Sequence, residues 1–152
     1  DDEFYELFNF IMPGFNMRPL EMEAAIGIKQ LEKLDKFINE RIRNATTFKE
    51  KVKNNKNILI QKEVGESSWF GFSIVLKDQL EGKRDEVIKR FKEFGIETRP
   101  IVAGDFTKNK AIEYMDYEIH RHLINADYIH KNGFFIGNND YSDVNFDLLS
   151  QL

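Results

Sequence analysis

Apolar residues recur at helical spacing between residues 20 and 52, and this run constrains the fold more than any other feature. The gaps are all three or four positions, which places the side chains on one face of an α-helix. The positions are Leu20, Ala24, Ile28, Leu31, Leu34, Ile38, Ile42, Ala45, Phe48 and Val52. We therefore predict a long helix from about Leu20 to Val52, with a break near Asp35 or Asn44.

The turn before this helix carries the first pair of candidate site residues. Pro19 suits the first helical position because it lacks an N–H, and Glu21 complements the positive helix end. Asn16 and Arg18 would place an amide and a guanidinium beside the free N–H groups of the helix start, an arrangement that binds anions. From spacing alone, a turn-forming Asn and a surface Arg are the alternative.

Strand and helix patterns alternate along the rest of the chain. Strands are predicted where β-branched and aromatic residues concentrate, at residues 58–60, 69–76, 96–102 and 134–136. Amphipathic helices are predicted at residues 84–94 and from residue 120 or 121 to Asn132, and Gly95 and Gly133 would cap them in the left-handed conformation. Pro100 predicts an edge position for the third strand, because proline has no N–H to donate.

This order of elements predicts an α+β fold with two layers, a small sheet with helices on one side. A chain of 152 residues can bury a sizeable core of this kind. Residues 4–12 read as a strand or an extended arm whose aromatic side chains pack against another domain. A short helical turn is expected at residues 111–115, and Ser142 or Asp143 could cap a last helix. Because the chain opens with three acidic residues and no methionine, we expect a fragment that lacks an N-terminal domain.

Composition excludes several functional classes. The 26 acidic and 22 basic residues leave a net charge of −4, which argues against a nucleic-acid protein held by a basic surface. The absence of cysteine excludes disulfides and thiolate metal sites, and no apolar run is long enough to span a bilayer. His120, His122 and His130 lack the i, i+4 spacing of helical zinc sites, so we expect no metal site. A cytoplasmic location is compatible with these features.

Glu97 and Arg99 form the second pair of candidate site residues. They would point to one face of the third strand, because side chains alternate along a strand. Such a pair could line a polar cleft, or it could be an ordinary surface ion pair. Trp69 and Phe70 could wall the same site, with buried core aromatics as the alternative.

Three ordered motifs carry a family resemblance. They are GFNMR, EMEAAIG and QLEKL within residues 14–34, GESSWFGF at residues 65–72, and GIETRPIVAGDF at residues 95–106. They resemble the nucleotide-sugar aminotransferase family, whose members use pyridoxal phosphate (PLP) and have the aspartate-aminotransferase fold. With MDYEIH at residues 115–120, they are most similar to the 3-dehydratase branch, which acts on GDP-4-keto-6-deoxymannose.

The resemblance implies a division of the chain and roles for four residues. Residues 1–19 would be an arm and interface loop, and residues 20–152 the small C-terminal domain, with the large PLP-binding domain absent. In the family this loop crosses a homodimer interface, so Asn16 would contact the PLP phosphate and Arg18 a substrate or cosubstrate carboxylate. Glu97 and Arg99 would lie near the sugar and the amino acid.

The resemblance also implies the reaction. The parent protein would remove the C3 hydroxyl of a nucleotide-linked 4-keto-6-deoxy sugar, in deoxysugar synthesis for a polysaccharide such as lipopolysaccharide O-antigen. Glutamate would convert PLP to pyridoxamine phosphate. The Schiff-base Lys, or the His that replaces it, would lie upstream, so this chain holds no catalytic residue and should be inactive alone. A sugar aminotransferase and a non-catalytic dimerisation module are the alternatives.

Two positions depart from the usual pattern of this branch. Asp105 stands where the branch usually has Asn, and Asn139 where it usually has His. Both departures bear on the substrate preference that the resemblance implies.

Overall fold

A computed structural model of the chain describes residues 2–15, 20–139 and 146–150. Within these ranges the helices are α1 Asp2–Glu6, α2 Glu21–Leu31, α3 Leu34–Val52, α4 Arg84–Glu93, α5 Ile124–Asn132 and α6 Asp147–Ser150. The strands are β1 Ile58–Ile60, β2 Gly71–Leu76, β3 Thr98–Arg99 and β4 Gly133–Gly137. Short 3-10 helices cover Asp78–Leu80, Phe106–Lys108 and Lys110–Tyr114.

The predicted long helix is two helices, α2 and α3, separated at Glu32 and Lys33. The break falls beside Asp35, one of the two predicted positions. The two helices differ in burial: α2 has no buried residue, whereas α3 buries Asn44, Ala45, Phe48 and Val52. Apolar residues at the same spacing therefore contribute to the core in α3 but are not buried in α2.

The four strands form one antiparallel sheet in the order β1-β2-β4-β3. In the central pair, Phe72 lies opposite Ile136, and Ile74 lies opposite Phe134. Directly opposed residues of antiparallel strands share a face, so these four side chains form one apolar surface. All four are at most 2% exposed.

Helices α3 and α4 cover this apolar surface of the sheet. The Phe48 ring of α3 lies 4.5 Å from the Phe72 ring, and the Phe91 ring of α4 lies 5.4 Å from the Phe134 ring. Leu148 and Leu149 of α6 join the same cluster of buried residues. The core is thus built from this chain's own residues, and the α+β class predicted from sequence is confirmed.

The N-terminal segment differs from its prediction. Residues 4–12 were expected to be a strand or an extended arm, but Asp2–Glu6 is a short helix. Phe4 is 4% exposed and belongs to the core cluster. Tertiary contacts of Phe4 therefore hold a helical turn that the local sequence did not indicate.

The third strand is at the edge of the sheet, as Pro100 predicted, but it is much shorter than predicted. Only Thr98 and Arg99 pair with β4, opposite Ile136 and Phe135. The ladder stops at Pro100, which has no N–H to donate.

The two predicted glycine caps have different outcomes. Gly95 follows α4 with φ +72°, which confirms the left-handed cap. Gly133 does not form such a cap, because its φ of −95° and ψ of 143° are extended and it begins β4. A Cβ at Gly133 would lie 2.5 Å from the carbonyl oxygen of Ile129, so glycine is needed here for close packing rather than for a positive φ.

The remaining boundaries differ in detail. The helix predicted from residue 120 or 121 begins only at Ile124, and the helical turn predicted at residues 111–115 is the 3-10 helix Lys110–Tyr114. The candidate caps Ser142 and Asp143 lie outside the described residues.

Candidate functional site

Glu97, immediately before the edge strand β3, contacts Arg99 on that strand, as their i, i+2 spacing predicted. Arg99 donates from Nε to Glu97 Oε1 at 2.9 Å, and its Nη2 lies 2.8 Å from the same oxygen. The Glu97 side chain is 74% exposed and the Arg99 side chain is 49% exposed, so the pair is open to solvent and to a ligand. A role of either residue in substrate binding remains a prediction.

Glu97 and strand β3 lie between two recesses in the surface. Glu97 and Thr98 line one of about 400 Å³ together with Phe4 and Leu7. Pro100 and Phe4 both line the other recess. The N-terminal helix α1 therefore supplies a wall to both recesses.

The second recess is a cavity of about 260 Å³, which we call the α1 cavity. Its walls come from the N-terminal segment, the start of α4, the loop after β3 and the junction of α5 with β4. The lining residues are Phe4, Tyr5, Phe8, Asn9, Arg84, Pro100, Ile101, Val102, Ala103, Gly104, Lys108, Asn109, Ile129, His130 and Gly133.

Arg84 is the buried cation of this cavity, with 7% of its surface exposed. Its Nη1 donates to the carbonyl oxygens of His130 and Gly133, and its Nη2 donates to the Tyr5 hydroxyl at 3.3 Å. The guanidinium lies 5.2 Å from the centre of the Phe4 ring, a cation–π distance. These contacts fasten α1 to the first residue of α4.

Asp105, Lys108, Asp127 and His130 form a polar cluster beside the cavity. The Lys108 ammonium contacts Asp127, and hydrogen bonds from Lys108 and Lys131 hold the pKa of the Asp127 carboxyl at about 2. Burial lowers the pKa of His130, and the positive charges of Lys108 and Arg84 lower it further. The His130 imidazole is therefore neutral at pH 7, and its Nδ1 accepts from the Asp105 N–H at 3.4 Å.

Asp105 has a structural role in this loop. It is 5% exposed, and its Oδ1 accepts from the N–H and the hydroxyl of Thr107 at 3.1 and 2.6 Å. These bonds cap the 3-10 helix Phe106–Lys108. The cap holds Lys108 and the following Asn109 at the cavity wall.

Val102, in the same loop, has a φ of +46°. A β-branched residue rarely adopts this conformation, and such strain persists only where the surrounding structure imposes it. The loop between β3 and the 3-10 helix is therefore held in a specific shape at the cavity.

Asn16 and Arg18, the first predicted pair, lie outside the described residues, and their roles remain predictions. Trp69 is 2% exposed and belongs to the core, which confirms the core alternative for that residue. Phe70 is 76% exposed, so the core alternative is wrong for it.

The described residues do not by themselves fit PLP, the coenzyme that the resemblance implies. Lys108 is the one lysine among the residues that line the α1 cavity, and its ammonium is ion-paired with Asp127. Within the described ranges, no group of three or more His, Asp or Glu side chains is placed to hold a metal ion. None of the helices described is long and apolar enough to cross a membrane.

Sequence reasoning missed Arg84, Asn109 and His130, which the fold brings to one cavity. A signal for Arg84 was available: it is the first residue of a helix, where the helix dipole disfavours a cation. A buried arginine at that position needs acceptors from elsewhere in the fold.

Comparison with known proteins decides the family. The model of the DegT/DnrJ/EryC1/StrS aminotransferase family matches residues 2–139. This chain belongs to that family. The resemblance read from the three motifs is thereby confirmed.

Two relatives and one solved structure illustrate the similarity. The chain is 48% identical to the GDP-4-keto-6-deoxy-D-mannose 3-dehydratase of Escherichia coli O55:H7 over 91% of this chain and 36% of that protein. It is 51% identical to the enzyme of the same name from Yersinia pseudotuberculosis, over 90% of this chain and 35% of that protein. A crystal structure of GDP-4-keto-6-deoxymannose-3-dehydratase with a trapped PLP-glutamate geminal diamine superposes with a TM-score of 0.81 at 45% identity, over 99% of this chain and 40% of that one.

The chain thus spans little more than a third of the length of these relatives. Their large remaining part has no counterpart in these 152 residues. The activity of the whole protein is therefore a matter for proposal.

Proposed function

We propose that this chain is part of a PLP-dependent enzyme that removes the C3 hydroxyl of GDP-4-keto-6-deoxymannose. The observation that carries the proposal is the 51% identity to a 3-dehydratase over 138 residues. When bound, PLP supplies an electron sink for carbanion chemistry, and glutamate is the amino donor that would convert it to pyridoxamine phosphate. The product would be a deoxysugar nucleotide for polysaccharide synthesis.

Within that enzyme, residues 20–152 would be the small C-terminal domain of the aspartate-aminotransferase fold, and residues 1–19 an arm and interface loop of a homodimer. Asn16 would contact the PLP phosphate of the other subunit, and Arg18 a substrate or cosubstrate carboxylate. Glu97 and Arg99 would bind the sugar or the amino acid at the exposed end of β3. Their shared exposed position and fixed mutual geometry support this assignment.

The reaction is tested with the full-length parent protein, PLP, glutamate and GDP-4-keto-6-deoxymannose. Mass spectrometry should detect a nucleotide sugar that has lost the C3 hydroxyl. An amino sugar as the product would instead identify a sugar aminotransferase. Absence of both products, with no pyridoxamine spectrum after glutamate is added, would favour a non-catalytic module.

The binding roles are tested by Arg99→Gln, with Arg43→Gln as the matched control. Arg43 also forms an exposed ion pair, with Glu40 at 2.6 Å, but it lies on α3 away from β3. Loss of a charged hydrogen bond to substrate should lower kcat/KM about tenfold or more in Arg99→Gln. Equal kcat/KM in the two variants would show that Glu97 and Arg99 are only a surface ion pair.

A further inference from the structure

The sheet has a second face, opposite the core, and one end of this face is open. Helix α5 covers the other end at Gly133, where a Cβ would lie 2.5 Å from the carbonyl oxygen of Ile129. Further along β4 on the same face, Phe135 is half-buried and Gly137 is exposed. A Cβ at Gly137 would meet no described atom within 4 Å, so the surface beside Phe135 is accessible to a ligand.

Two aromatic rings lie together at this open end of the sheet. The ring centres of Phe70 and Phe135 are 6.3 Å apart, and Phe70 is 76% exposed. Trp69 is buried in the core, so the chain places the next residue, Phe70, outside it. A Cβ at Gly71 would lie 3.0 Å from the Phe135 ring and 2.8 Å from the carbonyl oxygen of Ile136. Glycine at this position therefore lets the Phe135 ring lie against the backbone of β2.

The ion pair of Glu97 and Arg99 lies beside the Phe135 ring. Arg99 is directly opposite Phe135, and opposed residues of antiparallel strands share a face, with Cβ atoms roughly 5 Å apart. Among the described residues, the Arg99 guanidinium bonds only to Glu97 Oε1, through Nε and Nη2. Glu97 Oε2 and Arg99 Nη1 are therefore available to a ligand. We call Phe70, Phe135, Glu97 and Arg99 the sheet-end platform.

We propose that the sheet-end platform binds the hexose ring of the nucleotide-sugar substrate. One C–H face of the ring lies against Phe70 and Phe135, and hydroxyl groups at its edge bond to Glu97 and Arg99. Aromatic side chains with a few fixed polar groups suit such a ligand, because a hydroxyl can both donate to a carboxylate and accept from a guanidinium. This assignment rests on the proposed function and selects the sugar from the two ligands given there.

The charge of the sheet-end platform favours the sugar over the anionic parts of the two substrates. The opposite charges of Glu97 and Arg99 leave the platform neutral. Glutamate carries two carboxylates and the nucleotide carries a diphosphate, and either anion would be repelled by the exposed Glu97 carboxylate. The hexose ring is uncharged and has an apolar face. The guanine base is also uncharged, so the test must separate the base from the sugar.

The test compares the full-length parent protein with its Phe70→Ala variant and with Phe70→Tyr, which keeps the ring. We expect Phe70→Ala to raise the KM for GDP-4-keto-6-deoxymannose about tenfold with little change in kcat, and Phe70→Tyr to retain the original KM. The rate at which glutamate converts PLP to pyridoxamine phosphate should be the same in all three proteins, because no sugar takes part. The inhibition constant of GDP, which lacks the hexose, should also be unchanged.

Phe94→Ala is the matched control, because Phe94 is 65% exposed but follows α4, which packs on the core face of the sheet. Its KM should equal that of the original protein. The proposal is wrong if Phe70→Ala and Phe94→Ala have the same KM. It is also wrong if Phe70→Ala weakens inhibition by GDP as much as it raises KM, which would place the base on the platform, or if it slows pyridoxamine formation. No turnover of the nucleotide sugar by the original protein would instead contradict the proposed function, and this assignment with it.

Discussion

Asn138 joins three segments of the fold through one buried side chain. Its Nδ2 donates to the carbonyl oxygens of Arg41 at 3.0 Å and Trp69 at 2.8 Å, and its Oδ1 accepts from Asn44 at 3.0 Å. The side chain thus links α3, the turn before β2 and the end of β4. It also holds the backbone at Trp69, whose φ of +53° is unusual for a residue with a side chain.

We predict that Asn138→Ala lowers the free energy of unfolding by about 2 kcal/mol or more, because it leaves buried polar groups unpaired. Urea unfolding followed by circular dichroism measures the change. Asn54→Ala, at an exposed position, is the control and should leave stability nearly unchanged. Similar stabilities of the two variants would contradict a structural role for the Asn138 side chain.

A second residue-scale prediction concerns pH. Because Lys108 and Lys131 lower the pKa of Asp127 from 3.8 to about 2, the ionised carboxylate stabilises the fold above pH 3.8. As the pH falls from 3.8 towards 2, the unfolded chain takes up the proton first and this stabilisation is lost.

The difference in urea midpoint between the original chain and Asp127→Asn should therefore be largest near neutral pH and should shrink as the solution is acidified through this window. A difference that does not change with pH would mean that the carboxylate is not preferentially ionised in the folded chain.

At the scale of elements, helices α2 and α3 share one apolar pattern but have opposite environments. Phe48 of α3 is fully buried, and Ile28 of α2 is 63% exposed. Helical spacing identifies an apolar face, but it does not identify what covers that face. Burial here depends on whether the sheet lies against the helix.

We predict that Phe48→Ala costs about 3–5 kcal/mol of stability in the 152-residue chain, because it leaves a cavity under β2. Ile28→Ala should change stability by no more than about 0.5 kcal/mol, because most of its side chain is exposed. Chemical denaturation of both variants provides the comparison. A large loss in Ile28→Ala would show that α2 packs against the core in solution.

At the scale of the whole molecule, the described residues form a hydrophobic core but do not by themselves fit PLP. We therefore predict that the 152-residue chain, mixed with PLP and glutamate, gives no pyridoxamine absorption spectrum, whereas the full-length parent does. Spectrophotometry under identical conditions distinguishes the two. A pyridoxamine spectrum from the chain alone would contradict the finding that the described residues do not by themselves fit PLP.

Local sequence predicted those parts of the fold that depend on neighbours along the chain. Apolar spacing located α3 and α4, β-branched and aromatic runs located β1, β2 and β4, and Pro100 placed β3 at an edge. The pairing of Glu97 with Arg99 followed from side-chain alternation alone.

Only the tertiary structure decided the rest. The α1 cavity forms because Arg84 bonds to His130 and Tyr5, residues far from it in the chain, and Asn138 acts through contacts with Arg41 and Trp69 that no local pattern encodes. Helix α1 forms where an extended arm was predicted, because Phe4 enters the core. Periodicity reports which residues avoid water, whereas the partners of a buried polar group depend on which distant segments the packed core brings together.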